Sequence, residues 1–216
     1  MMTGPRGSSG KEAWAGRISA VQPRIRLTRS FDQRSHSYQG YVLRIDGICG
    51  GDAGEFLIAV GEAAYEKHRF QTGMEIQGQS APVDDPRKET ATFYKTSGIK
   101  VVKNVENKPS ADPPFHGVPP DLETYRARGH RRLDTRTYDA KCATCIWGCR
   151  MPVEMIIDQW NPSKKQYRFE AFCYGPKSCP IYRPGPARKV PGRKGMSYIE
   201  EDWVDEDATA HRGPDD

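Results

Sequence analysis

The chain has 216 residues, 36% of them apolar and 28% charged, with 33 Lys and Arg against 28 Asp and Glu for a net charge of +5. With 21 Gly and 17 Pro, this composition argues against one large apolar core and points to one or two small domains of short strands and turns. The longest aliphatic run, Leu57 to Val60, is far below the roughly 20 residues of a membrane helix, and the start has no apolar leader segment, so a cytoplasmic setting without membrane contact is expected.

Residues 1–15, rich in Gly and Ser, read as a disordered arm. From Gly16 the pattern alternates: Ile18 and Ala20, then, past Pro23, Ile25 and Leu27. That predicts a long first strand with a bulge or bend at the proline. A polar loop, Asp32 to Ser37, leads to a second strand through Tyr41, Leu43 and Ile45. The Gly-rich turn Asp46 to Gly54 leads to a third, Phe56 to Val60. Gly61 to Arg69 is too polar for a strand and reads as a short helix or a long turn. Phe70 to Gly78 supplies a fourth strand entered through Gly73. Thr90 to Tyr94 and Ile99 to Val102 supply the last strand material. Five prolines between 105 and 120 make that stretch a linker, and Asp121 can cap a short helix reaching to about Arg132. Met151 to Trp160 and Gln166 to Phe172 read as a hairpin turned at Asn161 to Lys164.

The expected fold class is therefore mainly β. A disordered N-terminal arm (1–15) precedes a barrel (16–104), a Pro-rich linker (105–120), a cysteine-rich module with a basic arm (121–198) and an acidic tail (199–216). Residues 16–104 resemble an OB-fold, the five-stranded Greek-key barrel of many nucleic-acid-binding proteins. The resemblance is carried by the bent first strand Gly16 to Phe31, the hairpin to Tyr41–Ile45, and the Gly-bounded segment Phe70 to Gly78. It implies a small closed barrel with a single-strand-binding surface.

Five of the six cysteines, Cys142, Cys145, Cys149, Cys173 and Cys179, fall close together, and Cys49 stands alone. Cys142-Ala-Thr-Cys145 lets two thiolates face one ion from a tight turn, and the hairpin brings Cys173 and then Cys179 back to them. Two knuckles joined by a hairpin resemble a zinc ribbon, which implies a structural Zn²⁺ held by Cys142, Cys145, Cys173 and Cys179. Cys149 then packs as a small hydrophobe or competes with one of the four. The run Cys142, Cys145, Cys149 and the Cys179-Pro180 pair also suit an iron–sulfur cluster, and disulfide or reactive-thiol chemistry is the third alternative. His130 is within reach of the metal in sequence, although Arg131 and Arg132 beside it favour a phosphate-facing stretch.

No catalytic motif is present, and a non-enzyme is favoured. The net charge divides unevenly. Residues 199–216 carry eight acids and one base, leaving +12 on residues 1–198, so the body is expected to meet a polyanion. By strand parity Arg24 and Arg26 share a face, as do Tyr38 and Arg44, and Arg29 and Arg34 extend it. Arg188, Lys189, Arg193 and Lys194 form a second basic stretch in a Pro-broken arm. These ten residues are the expected nucleic-acid contacts, stacking and phosphate neutralisation being the physical basis. The acidic tail, with Trp203, is expected to shield the arm until nucleic acid displaces it, or to strap onto the module. A protein–protein adaptor using barrel and ribbon as docking surfaces is the alternative.

Overall fold

The computed structural model describes residues 10–105, 109–158, 160–200 and 203–216, and it is mainly β, as the sequence predicts. Strands β1 (Glu12–Arg29), β2 (Arg34–Cys49) and β3 (Asp52–Val60) are followed by helix α1 (Glu62–His68) and strands β4 (Glu75–Pro82) and β5 (Phe93–Lys103). β1 pairs antiparallel with β2 along its length and with β4 through Glu12–Arg17. β3 pairs antiparallel with β2 and parallel with β5, and β5 returns to β4. The five strands therefore close in the order β1-β2-β3-β5-β4-β1. Closure needs the first strand to bend between two neighbours, and its register shifts at Ile18/Ala20 and again at Pro23/Ile25. The second shift is where the proline, with no N–H to give, predicts it.

β1 begins at Glu12 rather than Gly16, because Trp14 finds a buried site. Its indole lies against Gly78, where a Cβ would come within 2.7 Å of the ring. Its Nε1 donates to Ser80 Oγ at 2.8 Å.

The second half of the chain joins this barrel. Helix α2 (Leu122–Arg128), strand β6 (Arg131–Arg132) and helix α3 (Thr135–Thr137), which runs into a π-turn over Tyr138–Cys142, precede the hairpin β7 (Gly148–Ile156) and β8 (Lys165–Cys173). β7 stops at Ile156, before the expected end at Trp160, because Asp158 closes a turn by accepting from the N–H groups of Trp160 and Asn161. Leu27–Arg29 of β1 pair parallel with Val153–Met155 of β7, so barrel and hairpin form one continuous sheet. The main core follows suit. Ile18, Ile25, Leu27, Leu43, Ile45 and Ile58 from the barrel pack in one cluster with Tyr125, Cys149, Met151, Val153, Phe172 and Tyr174. The Pro-rich stretch is tied down as well: Tyr65 and Tyr41 donate to the carbonyls of Pro119 and Pro120.

The C-terminal region folds back on this body. β9 (Arg188–Pro191) and β10 (Ser197–Glu200) make a small hairpin, and α4 (Trp203–Ala208) leads into a closing segment in which Thr209 and Arg212 are buried.

Candidate metal centre and candidate nucleic-acid surface

Four cysteines line one small cavity near the junction of α3, β7 and β8. The first pair is set by a chain of turns: Asp134 caps α3 by accepting from the Thr137 N–H at 2.8 Å, the Cys145 N–H donates to the Cys142 carbonyl at 3.1 Å, and the Gly148 N–H donates to that of Cys145 at 3.0 Å. The knuckle is pinned to the barrel by one buried amide. Gln22 Nε2 in β1 donates to the carbonyls of Cys142 (2.9 Å) and Cys145 (2.8 Å), and Gln22 Oε1 accepts from the Tyr138 hydroxyl at 2.7 Å. Cys173 ends β8, and its sulfur accepts from the Gly175 N–H at 3.4 Å. Cys179 follows in a turn, its own N–H bonded to the Pro176 carbonyl at 3.2 Å.

Cys142, Cys145, Cys173 and Cys179 all line one apolar cavity of about 10 Å³, enclosed by Phe115, Leu133, Trp147, Ile181 and Tyr182 among others. That is the room of a single small sphere. Among the described residues, no three His, Cys, Asp or Glu side chains are grouped closely enough to hold an ion as they stand. Burial pushes the Cys142 thiol up to about 12 and the Cys145 thiol up to about 11. Burial also raises Cys173, against the pull of the Gly175 N–H. At neutral pH these groups keep their protons until an ion displaces them.

The other candidates lie elsewhere. Cys149 is fully buried in the main core, with its thiol 3.4 Å from the Pro23 carbonyl, and does not line the cavity. Cys49 sits beside Glu12 at the far end of the barrel. His130 is buried between His36 and Phe172, with ring centroids 4.7 and 4.5 Å away.

The basic residues expected to meet phosphate are divided among four places. Arg24 is held in a fork by Glu89, and Arg26 donates to the Lys88 carbonyl at 3.1 Å, so both lie beneath the loop between β4 and β5. Arg29 is buried, bonded to Glu200 at 2.7 Å and 3.9 Å from Glu170. Arg34 reaches the same Glu200 at 3.3 Å. Arg188 is buried too, 2.9 Å from Glu170 and with its guanidinium over the Phe172 ring. Tyr38 stands half-buried under the Arg126 guanidinium at 4.9 Å. Lys189, Arg193 and Lys194 are exposed on the terminal hairpin. The acidic tail is thus an anchor for the body: Glu200 bridges Arg29 and Arg34, and Asp205 holds Arg132 at 2.8 Å. Trp203 stays 60% exposed, so it does not fasten the strap.

Arg44 opens into a groove. This groove, of about 470 Å³, runs between β2–β3, the loop Pro82–Thr92 and the cysteine module, and Arg44, Leu57, Thr90, Tyr138, Arg150 and Phe169 line it. Arg44 pairs with the exposed Glu55, and Arg150 stands 3.8 Å from the exposed Asp139 and 5.2 Å from the centre of the Phe169 ring. Sequence reasoning missed Arg150 and Phe169. Both lie on the hairpin strands, where outward parity was legible, but their distance from the barrel in sequence hid the groove they complete. Gln22 was missed as well, and the signal available was a polar residue continuing the period-two series Ile18, Ala20 just before a proline.

No helix among the described residues is long and apolar enough to cross a membrane. Comparison of the chain with protein-family models, with characterised proteins and with solved structures finds no match.

Proposed function

We propose that the chain binds single-stranded nucleic acid in the groove between β2–β3 and the cysteine module, and that four thiolates hold one structural Zn²⁺ beside it. The observation that carries the first part is the groove itself: it sits on the face of a five-stranded barrel closed in the order β1-β2-β3-β5-β4-β1, with two arginines and a half-buried aromatic ring along it. That strand order also supports reading the barrel as OB-like, a fold whose β2–β3 face and flanking loops take oligonucleotides. Arg44 and Arg150 are paired with exposed carboxylates. Such pairs are worth at most about 1 kcal/mol, so a phosphate can take over either cation. Phe169 would give a base a stacking surface, and such contacts tolerate any sequence.

The cavity lined by Cys142, Cys145, Cys173 and Cys179 supports the second part. Sulfur donors from two turns suit tetrahedral zinc, and room for one small sphere favours a single ion over an iron–sulfur cluster, which would push the four chain segments apart. Bound there, the ion would fix the two turns, and no open coordination position would remain for catalysis. Cys142 and Cys145 would hold it from the barrel side, Cys173 and Cys179 from the hairpin side.

The test is the anisotropy of a labelled single-stranded oligonucleotide titrated with the full chain at 50–300 mM salt. Affinity should fall steeply with salt, and Arg44→Ala with Arg150→Ala should weaken it about tenfold or more. Salt-independent or absent binding would overturn the reading. A second reading is favoured by Met196, Tyr198, Ile199 and Trp203, all more than half exposed around the terminal hairpin: exposed apolar residues in one place suit a protein partner.

A further inference from the structure

The loop that carries Cys173 and Cys179 is surrounded by cations. Arg131 lies opposite Cys173 in the β6–β8 register, its guanidinium 3.9 Å from the centre of the Tyr182 ring and donating to the Pro176 carbonyl at 2.9 Å. Arg128 covers Trp147 at 4.5 Å and donates through Nε to the Tyr174 carbonyl at 2.8 Å. Arg212, 5% exposed in the C-terminal segment, donates to the carbonyls of Gly175 (2.6 Å) and Tyr174 (3.3 Å), and Lys177 reaches the Arg212 carbonyl at 3.2 Å. Asp216 meets two of them, pairing through its side chain with Arg128 and accepting from Arg212 Nη2 at 2.5 Å through its backbone oxygen, and Asp205 is occupied by Arg132. Arg212 Nε and Nη1 and Arg131 Nε are buried without a hydrogen-bond partner. Buried N–H donors left unpaired are costly.

One peptide unit connects these cations to the thiols. The Tyr174 carbonyl accepts from both Arg128 and Arg212, and the N–H of the same peptide, on Gly175, donates to Cys173 Sγ at 3.4 Å. Guanidinium charge on the oxygen end polarises the N–H end toward the sulfur, which favours negative charge there. We propose that Arg212 and Arg128 are positioning residues of the metal centre. Through the Tyr174–Gly175 peptide they compensate a centre that carries net −2 when four thiolates surround a divalent ion, and ion binding and docking of the C-terminal segment are one linked event. This rests on the four-thiolate reading above. It also assigns the segment after α4 a role that acidic-tail shielding does not: the tail contributes a buried cation, and that cation serves the ion.

The experiment uses the full chain. Zn²⁺ affinity is measured by competition with a chromophoric chelator for the wild type, Arg212→Gln and Arg212→Lys, and hydrogen exchange across residues 203–216 is followed in the wild type with and without Zn²⁺. Arg212→Gln should weaken Zn²⁺ binding about 10- to 100-fold, the range typical of lost outer partners, and Arg212→Lys should restore part of it. In the wild type, Zn²⁺ should slow exchange at residues 209–216, an outcome that needs no variant to fold. If the wild type takes up one Zn²⁺ but Arg212→Gln binds it equally and exchange at 209–216 is unchanged, this inference is wrong and the four-thiolate reading stands. If the wild type takes up none, the four-thiolate reading itself fails.

Discussion

Replacing Gln22 by Leu should uncouple the cysteine knuckle from the barrel, and the cost can be worked from three hydrogen bonds. Gln22 is 8% exposed; it donates to the Cys142 and Cys145 carbonyls and accepts from the Tyr138 hydroxyl. Each carbonyl keeps a second partner, the N–H of Cys145 or of Gly148, so losing the amide costs about 1 kcal/mol at each. The Tyr138 hydroxyl is different. It is left buried and unpaired, which costs about 1–3 kcal/mol. The sum is about 3–5 kcal/mol for Gln22→Leu. Tyr138→Phe, which leaves only Gln22 Oε1 without its donor, should cost about 1–2 kcal/mol. Because both variants break the same bond, the double variant should be less destabilised than the sum, with a coupling of at least about 1 kcal/mol. Urea unfolding at fixed free Zn²⁺, followed by Trp fluorescence and circular dichroism, measures all three. A Gln22→Leu cost below about 1 kcal/mol, or strict additivity, would refute the claim that this amide joins knuckle and barrel.

Three other outcomes follow from the same geometry. Burial, with Arg34 and Arg29 beside it, pulls the His36 imidazole down to about 4; the unfolded chain, near 6.5, binds the proton first, so stability should fall by about 3 kcal/mol as pH drops from 6.5 to 4. His36→Asn should flatten that part of a stability-versus-pH curve, and an unchanged slope would contradict the burial seen here. Cys149→Ala should cost about 1–2 kcal/mol through a small core cavity yet leave one Zn²⁺ per chain by elemental analysis, whereas Cys173→Ser should lose the ion. Gly78→Ala should displace the Trp14 indole, read as a shifted Trp emission and a loss of about 1–3 kcal/mol from overpacking.

Much of this fold is legible in the sequence. Period-two alternation around Ile25, Leu43 and Ile58 marks strands because one face of each must leave water, and all three side chains are fully buried. Pro23 gave the bend because a missing N–H interrupts the ladder. Cysteine spacing singled out the four thiols that share a cavity, and the structure places Cys149 in the core. What sequence could not supply is partnership at long range. Arg24, Arg29 and Arg188 read as free cations because Glu89, Glu170 and Glu200 are remote in the chain, and only folding shows that the charges meet. The continuity of the core hides for the same reason: the parallel pairing of Leu27 with Val153 leaves no local pattern. Trp14 was lost in a Gly- and Ser-rich arm because its partner, a strand glycine, gives no hydrophobic signal.

Photocrosslinking of a halogenated single-stranded oligonucleotide to the full chain, with the crosslinked peptides mapped by mass spectrometry, tests the central proposal most directly. The groove predicts crosslinks at Phe169 and within the loop Pro82–Thr92, lost on Arg44→Ala with Arg150→Ala. Crosslinks confined to the terminal hairpin, or none at an oligonucleotide concentration that saturates binding, would contradict it.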